Sequence, residues 1–401
     1  MQIPFSPPYI DDDVIAEVTD SLRSGWITTG PKVLQLEYEI AAYCQVEKAL
    51  AVNSATSAMM LVLHWFGVTR GDEVIVPAYT YCATALAVMH IGATPVMVDI
   101  GPDFNIDPEK IRQAITPKTK AVISVDVGGW PCDYDAIKDV IRQSKQKFAP
   151  RTEVQKKLGH MLLLADAAHS FGAVYNNTVT GTLANITVFS FHAVKNVTTA
   201  EGGVICLCMP APFDNYELYK TLRLWSLNGQ TKDALTKSKA GGWRYDIVYP
   251  GFKMNMPDVL AAIGLAQVRK YDTLLLKERR RVFNTYTAAF STHPWAITPI
   301  FEKQGCSSSC HLYPLRINNI TEEQRDEIIE LITAQGVAVN VHFIPMPLLT
   351  VFKNAGYNIT DYPKTYLMYS GEISLPVYPQ LTGSQCKLVA HTVIEAVNKV
   401  I

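Results

Sequence analysis

From about residue 47 to residue 209 the chain alternates short, continuously apolar runs with longer amphipathic stretches. The runs are EVIVP (73–77), PVMVDI (95–100), AVISVDV (121–127), MLLLADAA (161–168), ITVFSF (186–191) and GGVICLCM (202–209). A strand covered on both faces has no polar face to alternate with, so unbroken apolar runs of this length predict a largely parallel sheet flanked by helices. Such sheets bind ligands beyond the carboxyl ends of their strands. After about residue 250 the pattern changes. Helical periodicity over 257–292, a strand-like HLYPLRI (311–317) and helices near 321–335 and 383–399 predict a smaller α+β unit. The expected division is 1–250 for the large domain and 251–401 for the small one.

Between these regions, RQSKQKFAPRTEVQKKLGH (142–160) is polar and basic, and its proline should stop the helix begun near Asp133. It reads as an exposed excursion with a solvated surface. Neither an internal repeat nor a low-complexity segment is present.

With 401 residues, 48% of them hydrophobic, the chain can build one large core and a second smaller one. The formal charge of -1 gives no footprint for nucleic acid. The apolar runs are too short to span a membrane, and MQIPFSPPYIDDD lacks a basic stretch followed by an apolar one. The expectation is a soluble cytoplasmic protein with free thiols. Its eight cysteines are scattered, and Cys206/Cys208 and Cys306/Cys310 lack a second ligand pair at zinc spacing. No metal site is expected, and His311 beside Cys310 reads as an ordinary strand histidine.

Candidate chemistry gathers at the predicted strand ends. MLLLADAAHS delivers Asp166 and then His169 to the sheet edge, where an aspartate serves equally well as a helix cap or as a ligand-facing group. ITVFSFHAVKN places Ser190 and Lys195 just past the next strand end. A lysine that forms a Schiff base needs a neutral fraction near pH 7, and pyridoxal phosphate needs an acid to hold its ring nitrogen protonated. Lys195 and Asp166 match those two needs. The run ALAVNSATSAMMLVLHWFG sets Ser54, Ala55 and Thr56 between a strand and a helix, which suits capture of a phosphate by first-turn amides, although the same residues would also make a plain cap. Tyr81 lies just beyond EVIVP, positioned either to cover a flat ring or to fill the core.

In order and spacing these segments resemble the DegT/DnrJ/EryC1/StrS family of sugar aminotransferases, which have the aspartate-aminotransferase (type I) fold of pyridoxal-phosphate enzymes. The segments that carry the resemblance are SGWITTGP (24–31), NSATSA (53–58), GDEVIVPAYTYCAT (71–84), GATPVMVDI (92–100), ITPKTKAVI (115–123), DAAHSFGA (166–173), FSFHAVKN (189–196), EGG (201–203) and PGFKMN (250–255). They span nearly the whole chain. The resemblance implies pyridoxal 5'-phosphate as cofactor, with Lys195 as Schiff-base lysine and general acid/base, and Asp166 as partner of the ring nitrogen. It implies that His169 neighbours the ring hydroxyl and Tyr81 stacks on the ring. Ser54, Ala55, Thr56 and Ser190 fall at the phosphate, and Asn255 would reach the phosphate in the other subunit of a homodimer with shared active sites.

SAT, FHAVKN, AEGG and PGFKMN most resemble enzymes that make UDP-4-amino-4-deoxy-L-arabinose. That implies a UDP-linked 4-keto sugar as acceptor and L-glutamate as donor, with 2-oxoglutarate released, in the synthesis of cell-surface polysaccharide or lipopolysaccharide. Two alternatives are a sugar dehydratase of the same family, which has histidine in place of the lysine, and a regulatory or sugar-sensing protein without turnover. Asp126 and the following Gly129-Trp130 depart from the family's usual pattern, in which histidine follows the strand, so a reshaped sugar pocket is expected.

Overall fold

A computed structural model describes residues 2–232 and 244–401. In chain order the first half forms β1 (Lys48–Val52), β2 (Glu73–Pro77), β3 (Thr94–Val98), β4 (Thr119–Val125), β5 (Leu162–Asp166), a small pair β6 (Val174–Tyr175) and β7 (Thr178–Val179), then β8 (Ile186–Ser190) and β9 (Gly203–Leu207). Seven of these make one sheet in the order β1-β9-β8-β5-β4-β2-β3. The contacts from β3 through β2, β4 and β5 to β8 are all parallel. Only β9 runs against its two neighbours. The mostly parallel sheet therefore stands as expected, and the exception has a local cause: residues 191–202 join β8 to β9 without a crossover helix, so the chain must return antiparallel.

β4 and β5 are buried at every position, as strands covered on both faces must be. One cover is the helix Ala55–Trp65, which buries Ala58, Met59, Leu61, Val62, Leu63 and Trp65 and is apolar nearly all round. Its amino end, capped by Ser54 accepting from the Ser57 amide, is thereby held at the sheet's carboxyl edge.

The second half builds β10 (Ala296–Ile297), β11 (Glu302–Lys303), β12 (Cys306–Ser307), β13 (Tyr313–Ile317) and β14 (Glu372–Leu375). β10-β13-β14 form an antiparallel sheet, against which helices Lys277–Phe290, Glu322–Ala334 and Gly383–Val400 close a separate apolar core. Ile3 also belongs to that core, paired with Val337, so the amino-terminal residues cross to the carboxyl-terminal half. A second link is the sheet β11-β12-β6-β7, which draws strands from both halves.

The 142–160 segment differs from its solvated reading. The helix Tyr134–Gln143 ends well before Pro150, and a short helix, Glu153–Leu158, follows. Phe148, Gln155 and Leu158 are buried. Gln155 donates to the Phe66 carbonyl (3.0 Å), and buried Lys120 donates to the Ala149 carbonyl (2.6 Å). These contacts make the segment a strap with an exposed basic face and a fixed inner one.

Candidate active site

The carboxyl edge of the sheet opens into a cavity of about 450 Å³, lined in part by Ser54, Ala55, Thr56, Tyr81, Asp166, His169, Ser190 and Lys195. Eight of the nine site residues expected from sequence thus meet in one place. Three connections bring them there.

The first is the β8–β9 loop. Lys195 donates its amide to the His192 carbonyl (2.9 Å), Thr199 to the Phe191 carbonyl (2.9 Å), and Phe191 to the Gly202 carbonyl (2.9 Å), which folds the loop back on itself. Gln267 ties it down by accepting from the Thr198 amide (2.9 Å). Lys195 keeps some surface open to the cavity, but its ammonium is surrounded by protein. Desolvation pushes its pKa down to about 8, with the Asp166 carboxylate opposing the shift.

The second connection is Asp166 itself, 5% exposed at the last position of β5. Thr84 donates to one carboxylate oxygen (2.7 Å) and the Ala168 amide to the other (3.3 Å). Burial raises its pKa, and the two donors and Lys195 pull it back. The carboxylate is oriented by these bonds and still has lone pairs for a partner in the cavity.

The third is an anion cradle. Ser190 pairs in register with Gly203, and a Cβ on Gly203 would stand 2.5 Å from the Ala55 nitrogen. Glycine is what lets the start of β9 lie against the Ser54–Ala55 backbone and bring Ser190 to the same spot. The amides of Ala55 and Thr56 open the helix Ala55–Trp65, so they have no intrahelical acceptor. First-turn amides, a serine hydroxyl and the helix dipole are a donor set suited to a phosphate. Together with an amine depressed toward neutrality and a buried carboxylate, the set fits pyridoxal phosphate.

Two histidines complete the floor. The Gly128 amide donates to His169 Nδ1 (3.2 Å), and the His169 ring lies 4.4 Å from that of His311, centroid to centroid. His311 Nδ1 meets Asn196 Oδ1 at 2.8 Å. Burial pushes both imidazoles well below their ordinary pKa, and the Lys195 charge adds to the shift. Tyr81 is 61% exposed at the mouth, its ring 6.1 Å from that of Phe343. Phe343 in turn stacks on His169 at 5.7 Å.

Asn255 is the expected residue that does not line this cavity. Its backbone pairs with Val52, and its side chain donates to Thr29 Oγ1 (2.6 Å). Asp126 is also absent from the lining. It is fully buried and accepts from Ser170 Oγ (2.6 Å), the Cys132 amide (2.9 Å) and Tyr134 (3.0 Å). The departure at 126 is therefore absorbed inside the protein. Sequence reasoning missed Thr84, Phe5, His342 and Phe343, and it placed His311 in an ordinary strand when it faces the cavity. Thr84 lies within GDEVIVPAYTYCAT, three residues after Tyr81, whereas Phe5, His342 and Phe343 come from distant segments that no local motif marks.

Residues 8–394 match the DegT/DnrJ/EryC1/StrS aminotransferase family. The chain is 37% identical over 408 residues to the spore coat polysaccharide biosynthesis protein SpsC of Bacillus subtilis, covering 100% of this chain and 97% of that protein. It superposes on the PLP form of the putative sugar aminotransferase Spr1654 from Streptococcus pneumoniae with a TM-score of 0.95 at 41% identity, each chain covered completely. Helicobacter pylori PseC, an aminotransferase involved in the biosynthesis of pseudoaminic acid, gives 0.87 at 26% identity, again over the full length of both. The chain belongs to the DegT/DnrJ/EryC1/StrS family and is a pyridoxal-phosphate-dependent aminotransferase with the type I fold.

Proposed function

We propose that this enzyme moves an amino group from L-glutamate to the 4-keto group of a UDP-linked sugar, in the cytoplasm, on a route to a cell-surface polysaccharide. The observation that carries the reading is the meeting of a partly neutral Lys195 with buried Asp166 above the Ser54–Thr56 cradle. The polysaccharide role named for SpsC supports the sugar and its destination, and the resemblance of SAT, FHAVKN, AEGG and PGFKMN to the arabinose-type enzymes supports UDP and the 4-keto position.

Pyridoxal phosphate, when bound, supplies the electron sink that makes an α-proton of the amino donor labile. Lys195 Nζ anchors it at rest. Freed by the donor amine, the same nitrogen would serve as general base toward the donor's α-carbon and as general acid in returning the proton, which a pKa near 8 permits in both directions. Asp166, oriented by Thr84, would hold the ring nitrogen protonated. The amides of Ala55 and Thr56 with Ser54 and Ser190 would hold the phosphate, His169 would serve the ring hydroxyl, and Tyr81 would cover the ring. Asn255 serves the phosphate of a partner subunit, which agrees with its absence from the cavity of its own chain. A lysine at 195 favours amine return over the dehydratase chemistry, which uses histidine there.

The test is single-turnover amination with L-glutamate against a panel of UDP- and dTDP-linked 4-keto and 3-keto sugars, read by 2-oxoglutarate release and by mass of the amino sugar. Turnover with UDP-4-keto sugars is expected. Exclusive use of 3-keto or dTDP-linked substrates would overturn the assignment.

A further inference from the structure

We propose that Asn196 is a positioning residue that fixes the proton of His311 on Nδ1, so that His311 presents an accepting Nε2 beside the donating Nε2–H that the Gly128 amide imposes on His169, and that His311 accepts a hydrogen bond from a substrate O–H or N–H. The nature of that donor rests on the aminotransferase reading, whereas the proton pattern does not.

The pattern follows from groups that can act in only one way. Asn196 Nδ2 lies 2.8 Å from the Ser309 carbonyl and 3.1 Å from the Tyr271 hydroxyl. A carbonyl only accepts, so that atom of Asn196 must be the amide nitrogen. The Tyr271 hydroxyl spends its own proton on the Phe171 carbonyl (2.5 Å) and is left to accept from Asn196. Both amide protons are then used, and Oδ1 faces His311 Nδ1 at 2.8 Å. An amide oxygen only accepts, so Nδ1 of His311 carries the proton. With burial holding the ring neutral, Nε2 is left with a lone pair.

His169 resolves the opposite way. A backbone amide only donates, so the 3.2 Å contact from Gly128 requires an unprotonated Nδ1. The neutral ring then carries its proton on Nε2. Both rings line the cavity, and neither Nε2 is buried without a partner or bonded to another group among the described residues. The floor beside Lys195 thus offers one donor and one acceptor without adding charge. His169 faces the cofactor's ring hydroxyl in the proposed arrangement, which leaves the accepting nitrogen of His311 for a hydroxyl of the keto-sugar or the amine of the donor.

The ligand-free protein, labelled with 15N-histidine, tests the pattern through long-range 1H–15N correlation spectra assigned with His169→Gln and His311→Gln. His311 should show a protonated Nδ1 and a basic Nε2, and His169 the reverse. Asn196→Ala should release His311 into a mixture of tautomers and leave His169 unmoved. Asn196→Asp keeps an accepting oxygen and adds a charge, so it should retain the Nδ1 proton and raise the His311 midpoint, which keeps the idea testable if the alanine variant does not fold. A proton on Nε2 of His311 in the wild type, or a His311 pattern indifferent to both variants, overturns the proposal.

Half-reaction kinetics of His311→Phe then identify the donor group. A rise of about tenfold in the KM for L-glutamate assigns the contact to the amine, and the same rise for the keto-sugar assigns it to a hydroxyl, the size expected for one hydrogen bond. An unchanged KM in both halves refutes the substrate contact. Should the protein fail to aminate sugars at all, the spectra still decide the proton pattern.

Discussion

Replacing Gly203 with alanine probes the anion cradle at its tightest point. The added Cβ would lie 2.5 Å from the Ala55 nitrogen, 2.6 Å from the Ser54 carbonyl carbon and 2.8 Å from its oxygen, all backbone atoms that no rotamer change can move. Normal van der Waals contact between carbon atoms is about 3.5 to 4.0 Å, so the start of β9 and the Ser54–Ala55 backbone must separate by roughly 1 Å. Hydrogen bonds weaken steeply over such a distance, and at least one charge-assisted contact to the phosphate should be lost. That is worth about 1.5 to 3 kcal/mol, or roughly ten- to a hundredfold in cofactor Kd. Absorbance titration of the apoprotein measures it, with pyridoxal, which has no phosphate, as the control. The expectation is much weaker binding of pyridoxal phosphate with pyridoxal nearly unchanged. Equal losses for both, or none for either, would refute the cradle and leave Gly203 as a packing residue alone.

Glu372, buried on β14, accepts from Ser374 Oγ and from the His342 amide, yet burial pushes its pKa up to about 8. Between about 4.5 and 8 the unfolded chain is ionised there while the folded one remains protonated, so stability falls as pH rises through that window. Glu372→Gln should remove this slope and gain on the wild type by a few kcal/mol near pH 8, on the basis of about 1.36 kcal/mol per pKa unit. Urea unfolding from pH 4 to pH 9 checks it, and parallel pH dependences for the two proteins would rule it out. A mixed dimer of Lys195→Ala and Asn255→Ala chains tests the shared site: if Asn255 serves its partner, the remaining lysine-bearing site should bind cofactor as the wild type does. Affinity as weak as in the Asn255→Ala homodimer would place the residue's effect within its own chain.

Much of the fold was legible because strands buried on both faces have no choice but to be continuously apolar, and six such runs coincide with β2, β3, β4, β5, β8 and β9. Short edge and connecting strands such as β10 and β14 were not, since two to four residues carry no usable period. The candidate site was legible where its residues follow strand ends and combine: Asp166, Ser190 and Lys195 are ambiguous singly by position, and together they match what a Schiff-base site needs. Thr84 was hidden because its role exists only through a 2.7 Å contact from the first turn of the helix Ala83–His90 to Asp166 at the end of β5. His342 and Phe343 enter from the far half of the chain, and nothing local distinguishes them from loop residues. His311 looked ordinary for the same reason, because its partners are Asn196 and His169 rather than its neighbours in sequence. Asp126 shows the converse: an unusual residue for the position, it suggested an altered pocket, but three donors hold it in the interior.

The central claim is that Lys195 anchors the cofactor, and reduction of the cofactor-loaded protein with borohydride followed by peptide mass mapping tests it most directly. A pyridoxyl adduct should appear on the peptide containing Lys195 and vanish from Lys195→Ala. An adduct on any other lysine of the wild type, or one that persists at full yield in the variant, would contradict it.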